Sequence, residues 1–193
     1  RIIITMTNIA DDSGNAFRVD RSSTQSNKPR IRRFSFGDGY EQRIADGINT
    51  LGQMFDVRFT NRTKTEMDLL IDFFETKNSV TPFAYSPPNF ASSTTGSSFT
   101  ANSTITGTGF SGLGDEGWVI VDGSTSNDKG YSIDSTGTNN ATTLTVFEPN
   151  VSSDTETFTV YKALGVICEE WSIVIPQVDV VSVTAKFKRV YEP

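Results

Sequence analysis

Carboxylates, one thiol and a short run of cations are the side chains of this sequence that could do chemistry. Glu169-Glu170 is the one carboxylate pair standing directly beside a tryptophan, Trp171. Two carboxylates facing each other across a cleft serve as general acid and base. Neighbours in a strand point to opposite faces, so this pair is expected to be solvated and not to share one site. Asp11-Asp12 and Asp115-Glu116 lie in Gly/Ser-rich loops, yet neither has the alternating Asp spacing that wraps oxygens round Ca²⁺. Cys168 is the single cysteine, and the chain has no histidine to activate it, so a buried inert thiol is expected. Lys28-Pro29-Arg30-Ile31-Arg32-Arg33 is the densest positive run. It is too short for a nucleic-acid footprint. Lys28, Arg30, Arg32 and Arg33 read either as a solvated strand edge or as a contact to an acidic neighbouring subunit. No catalytic residue, metal-ligand set or cofactor motif is nominated, and no enzyme is expected.

Composition narrows the field in the same direction. The 193 residues make one large domain or two small ones. Without histidine there is no Ser-His-Asp or Cys-His nucleophile and no His-ligated zinc, and one cysteine makes no internal disulfide. The net charge of -6 argues against nucleic acid as the main partner. No stretch approaches the roughly 18–20 apolar residues that span a bilayer. Arg1–Met6 is too short for a signal peptide and lacks an initiator Met, so trimming or processing is expected. Four N-x-Ser/Thr triplets, at Asn61, Asn102, Asn140 and Asn150, are expected by chance in so Ser/Thr-rich a chain.

The elements that must position these groups fall into two compositions. Residues 89–163 carry 2 basic and 8 acidic side chains, whereas residues 1–88 carry 12 and 11, so the middle holds the charge imbalance. Of the residues from Phe90 to Ala163, 27 are Ser or Thr, which marks this stretch as foreign to its flanks and as an insertion in a loop. The expected division is an N-terminal arm at 1–30 with at most one short strand, a β domain at 31–88 and 164–193, and an inserted all-β domain at 89–163.

In the flanking domain, Arg30 to Phe36 reads as a strand, with Ile31 joining Phe34 and Phe36 across a slight irregularity. Gly37-Asp38-Gly39 is a tight turn needing positive φ, and Tyr40 to Ile44 returns. Leu51 to Thr60 alternates, with Leu51, Phe55, Val57 and Phe59 on one face. Thr63-Lys64-Thr65-Glu66 fits a capping box, and Met67, Leu70, Ile71 and Phe74 stripe a helix from Lys64 to Lys77. Gly165 to Ile175 and Val180 to Tyr191 form an antiparallel hairpin turning at Pro176-Gln177. Ser182, Thr184, Lys186 and Lys188 line its wet face. In the insert, short strands at Gly117–Val121, Gly130–Asp134, Thr143–Phe147 and Thr157–Tyr161 predict a small barrel or sandwich.

Phe36-Gly37-Asp38-Gly39-Tyr40-Glu41-Gln42-Arg43, followed by Asp46-Gly47-Ile48-Asn49, resembles the minor tail protein M family of phages with long non-contractile tails. The likeness continues in order through Phe55-Asp56-Val57-Arg58-Phe59, Pro82-Phe83-Ala84-Tyr85-Ser86-Pro87 and Cys168-Glu169-Glu170-Trp171. It covers residues 15–88 and 164–193, and residues 90–163 are extra. The resemblance implies a mainly β fold: a tail-tube-like antiparallel β-sandwich with one flanking helix, here carrying the inserted β domain. It implies a structural virion protein without cofactor, in a hexameric homo-oligomer at the tail tip. That ring joins the tail tube protein to the tail-tip hub proteins, with DNA present only in transit and no membrane contact. Ser182, Thr184, Lys186 and Lys188 would then face the lumen. Phe36, Gly37, Asp38, Gly39, Tyr40, Gln42 and Arg43 would form a structural turn or a subunit contact. The alternative is a carbohydrate-binding or adhesion module acting through the insert, whose Phe110, Trp118, Tyr131 and Phe147 either stack sugars in a weak host-surface contact or fill the insert's core.

Overall fold

A computed structural model describes residues 7–90, 93–100, 103–113, 117–149, 153 and 155–191. Arg1–Met6, Asp115-Glu116, Asn102 and Asn150 lie outside the described residues. In chain order the strands are β1 (Ile9–Ala10), β2 (Ala16–Phe17), β3 (Thr24–Pro29), β4 (Ile31–Ser35), β5 (Glu41–Ala45) and β6 (Leu51–Thr63). The helix α1 (Lys64–Lys77) follows, then β7 (Phe83–Tyr85), β8 (Ser93–Thr100), β9 (Thr104–Thr108), β10 (Gly117–Asp122), β11 (Gly130–Ser132), β12 (Thr143–Thr145), β13 (Phe158–Gln177) and β14 (Val180–Arg189). Among the described residues the fold is mainly β, all strand pairs are antiparallel and there is one α-helix, consistent with a β-sandwich flanked by a helix.

The body is a sheet in the order β13-β14-β6-β3. Period-two alternation on β6 sends Phe55, Val57 and Phe59 inward, and Val181, Val183, Ala185 and Phe187 of β14 meet them on the same face. Helix α1 covers that face. It begins at Lys64 because the Thr63 hydroxyl accepts from the Glu66 amide at 3.3 Å, and it stops where Asn78 turns left-handed at φ 47°. Its buried stripe is Met67, Leu70, Phe73 and Phe74, with Ile71 only half-buried. Ile9, Phe17 and Val19 close the same core. The first thirty residues are therefore no free arm. They supply three strands where the pattern implies one at most, because pieces two residues long leave no periodicity to read.

β13 runs for 20 residues, about 65 Å of extended chain, out of the insert and into the body. Its first residues lie between β8 and β10, and its later residues pair with β14. The insert strands follow the order β12-β9-β8-β13-β10-β11, and their two edges meet at the single bridge Ile133–Val146, so they curl round a core without closing a full ladder. That core holds Phe99, Ile105, Phe110, Tyr131, Leu144 and Phe158. Ala10, Ala84, Ile120, Tyr161 and Ala163 form a small third core at the junction.

Three local expectations need correction. The Pro176-Gln177 turn is instead a turn at Val178-Asp179, with Asp179 at φ 62°, and Pro176 sits in the strand. The register Arg32–Ile44 and Phe34–Gln42 is regular, so Ile31 lies on the face opposite Phe34 and Phe36. The third concerns Glu169-Glu170. Cys168 pairs with Phe187 but Glu170 pairs with Lys186, so a bulge adds one residue to β13. Both carboxylates consequently reach the same face of β14, Glu169 to Lys188 at 2.9 Å and Glu170 to Lys186 at 2.8 Å.

Candidate assembly surfaces

β4 and β5 form a two-stranded sheet of their own, off the main sheet, and every residue from 31 to 45 is exposed. The register places Arg32, Phe34 and Phe36 on one face with Ile44, Gln42 and Tyr40. Phe36, at 57 % exposure, and Tyr40, at 75 %, extend the ladder through a 2.8 Å bond from the Phe36 amide to the Tyr40 carbonyl. A hairpin of two strands with both faces wet is marginal by itself, and this one shows solvent two phenylalanines, a tyrosine and two isoleucines.

The turn at its tip is a single 3₁₀ turn over Gly37–Gly39, with positive φ at Asp38 (65°) and Gly39 (81°). A Cβ at Gly39 would meet nothing within 4 Å, so only backbone strain opposes a side chain there. Gly39→Val is therefore expected to cost about 1–3 kcal/mol, confined to the hairpin. Amide exchange should accelerate in β4 and β5 and stay unchanged in β6; uniform protection in the variant would refute the turn assignment.

The cations of the basic run do not form one free patch. Lys28 lies on β3 opposite Gly52, on the outer face of the main sheet. Arg30 and Arg32 reach Asp46 at 3.3 and 2.8 Å, while Arg33 and Arg43 both reach Glu41, at 3.4 and 3.2 Å. The Arg43 hydrogen bond holds the Glu41 carboxyl below its ordinary range, and Glu41 in turn raises Arg43. All four arginines keep side chains more than 60 % exposed, so these pairs orient the guanidinium groups and contribute little stability.

The second surface is the outer face of the main sheet. Thr184, Lys186 and Lys188 are exposed there and Ser182 is half-exposed, its hydroxyl accepting from the Asn61 amide at 3.1 Å. The register sets Met54, Asp56 and Arg58 of β6 and Ser172 of β13 beside them. Glu170 raises the Lys186 ammonium by hydrogen bonding to it. Both sides of this sheet end without a strand partner among the described residues: β3 pairs only with β6, and β13 from Glu169 onward pairs only with β14.

A third surface lies at the opposite end of β6 from the hairpin. Pro29 pairs with Leu51 where the hairpin leaves the sheet, while Val180 pairs with Thr63 at the far end. There the β13–β14 turn exposes Val174, Ile175 and Val178, the last at 87 %. The sequence reading missed these residues, and Ile48, which is fully exposed, because an apolar residue at a strand end reads as core. Apolar side chains directly flanking Pro176 and the turn residue Asp179 were the available signal.

Cys168 is buried, and burial pushes its thiol up to about 12. At pH 8 the thiolate fraction is then on the order of 10⁻⁴, so a thiol reagent is expected to label Cys168 only after unfolding. Stoichiometric labelling of the native protein would show the site to be open.

Residues 15–107 match the family described as phage minor tail protein. The match spans the hairpin, β6 and α1 and runs into the first two insert strands. No curated protein matches the chain.

Proposed function

We propose, from the premise that the chain belongs over residues 15–107 to the phage minor tail protein family, that it is the distal-tail adaptor of a long non-contractile tail. As a member of that family it is a structural component of the virion tail that assembles with other tail components. In the proposed arrangement six copies close a ring between the last ring of the tail tube and the tail-tip hub, and DNA leaves through the middle.

The observation that carries this reading is a sheet with one polar face and two unpaired edges. Open edges are hazards unless something covers them. Setting β3 of one copy beside β13 of the next removes both edges at once, and repetition round an axis closes the ring. The outer face then becomes the lumen, with α1 and the apolar core behind it. Lys186 and Lys188 are each matched by a carboxylate on the same face. A lumen so neutralised holds a passing polyanion weakly, because tight binding needs unmatched cations. The hairpin at one end of the sheet and the β13–β14 turn at the other supply two unlike axial contacts, as a joint between two different neighbours requires. The insert, residues 89–163, stands in this reading as a module on the ring's outside with its own core.

Cryo-electron microscopy of intact tails tests the assignment. The expected result is a six-fold ring of this chain at the tube's end, with β3 and β13 of neighbouring copies in register. Finding the chain as isolated monomers along the tube would overturn it.

A further inference from the structure

We propose that the groove between the body and the insert binds an uncharged oligosaccharide. The groove is open to solvent on one side, offers about 940 Å³ and is walled by β7, β10, β11 and the end of β14. That is within the range of sites that take compact organic ligands, roughly 300–1,000 Å³.

Aromatic side chains are the first reason. Of the four insert aromatics that could stack sugars, Phe110 and Tyr131 are core residues, 1 % and 0 % exposed. Trp118 and Phe147 instead line the groove, and Tyr191 from the body joins them. The Trp118 and Tyr191 rings each have a separate backing. Trp118 lies against Gly165, where a Cβ would fall 2.3 Å from the indole Nε1. Tyr191 donates its hydroxyl to the Leu51 carbonyl at 2.9 Å, and the Arg189 guanidinium lies 4.5 Å from its ring centre. Phe147 stands 62 % exposed, with its backbone amide tied to the Ser132 carbonyl at 3.0 Å. Trp118 and Tyr191, fixed before binding, spare a ligand the entropy of ordering them.

Charge is the second reason. Each charged side chain lining the groove already has a partner within the chain. Lys77 pairs with Asp12 at 2.9 Å, Glu148 accepts from the Ser132 amide and hydroxyl at 2.7 Å, Lys129 donates to the Pro149 carbonyl at 3.2 Å, and Arg189 donates to Gln53. The charges lining the groove, Asp12 and Glu148 against Lys77, Lys129 and Arg189, nearly cancel, so an ionic ligand would meet little net countercharge. A neutral ligand with apolar faces and hydroxyl edges fits the aromatic rings and the polar rim of Asn49, Thr81 and Ser135. A saccharide chain is that ligand.

The test displays the full chain at high density on beads, so that weak contacts are detected through multivalency. The probes are an array of neutral bacterial O-antigen chains, neutral capsular polysaccharides, and chito- and malto-oligosaccharides. One saccharide class is expected to be retained, and titration calorimetry with that class gives its Kd. Phe147→Ala and Tyr191→Ala are each expected to raise that Kd at least about tenfold with the melting temperature unchanged. Phe147→Trp, which keeps a platform, should bind as well as the parent and guards against a folding defect in the alanine variant. A silent array overturns the proposal, and so does a Kd unmoved by both alanine variants. Ring density at the tail tip reports on the adaptor reading alone, so either idea can fail without the other.

Discussion

Phe187→Ala is expected to lower stability by about 3–5 kcal/mol, the usual cost of deleting a fully enclosed ring. Phe187 is 0 % exposed and sits on β14 at the centre of the body. Its ring meets Phe74 of α1 at 5.7 Å, Phe83 of β7 at 5.3 Å and Tyr85 of β7 at 5.2 Å between centres, each edge-on. Two segments remote from β14 in sequence, α1 and β7, thus converge on one side chain, and Phe83 passes the contact on to Phe73 at 5.1 Å. Truncation removes the buried area and three edge-to-face contacts together, and β14 is held by β6 and β13 on both sides, which limits collapse into the cavity. Urea melts of the variant and the parent measure the loss; a change below about 1 kcal/mol would mean that the cluster is loosely packed. Because the insert core holds none of these residues, a two-phase melt in which only one phase shifts would further support a separate insert module.

Where the sequence was legible, the reason was a clean period. α1 runs over the residues that a Thr63 cap and an apolar stripe imply, and β6 follows from Phe55, Val57 and Phe59. Positive φ at Gly39 follows from Asp-Gly between strands. Where a strand bears few apolar residues the pattern fails. β8 and β9 are largely Ser, Thr and Gly, with Phe99 and Ile105 as the buried large apolar side chains, so no alternation marks them. Their packing rests on small residues. A Cβ at Gly96 would fall 1.8 Å from Phe158, and one at Gly107 would fall 2.3 Å from the Thr95 carbonyl oxygen, so these glycines are close-approach positions that composition reads only as loop. The bulge at Cys168–Glu170 is a different failure. Strict alternation put Glu169 and Glu170 on opposite faces, and one inserted residue places both over the lysines of β14. The hairpin is the most instructive case for the candidate site. Phe34, Phe36 and Ile44 look like core residues in the sequence, and only the fold shows that none of the described residues buries them.

That uncovered hairpin makes the sharpest prediction about assembly. Phe34→Ser combined with Ile44→Ser is expected to leave the monomer's melt within about 0.5 kcal/mol of the parent, since both side chains are 46 % exposed and belong to none of the buried clusters. Infectious yield on complementation should nonetheless fall by on the order of 100-fold, because exposed aromatic and aliphatic anchors of this kind carry most of an interface's energy. Reversing Arg32 and Arg33 to Glu should act more weakly. Both guanidinium groups are largely solvated in the free chain, and Asp46 and Glu41 already partner them, so their role is to set register and to reject wrong pairings. Arg32 and Arg33 also point to opposite faces of the hairpin, so the double reversal reports on both sides of the contact. The two variants divide the interface into an adhesive part and a selective part. If the hairpin is an assembly arm, the serine pair yields tails without a completed tip, while the glutamate pair yields fewer tails with the tip correctly joined. Full infectivity of the serine pair would remove the hairpin from the interface. A large drop in its melting temperature would show instead that Phe34 and Ile44 hold the monomer together, and the wetness of both hairpin faces argues against that outcome.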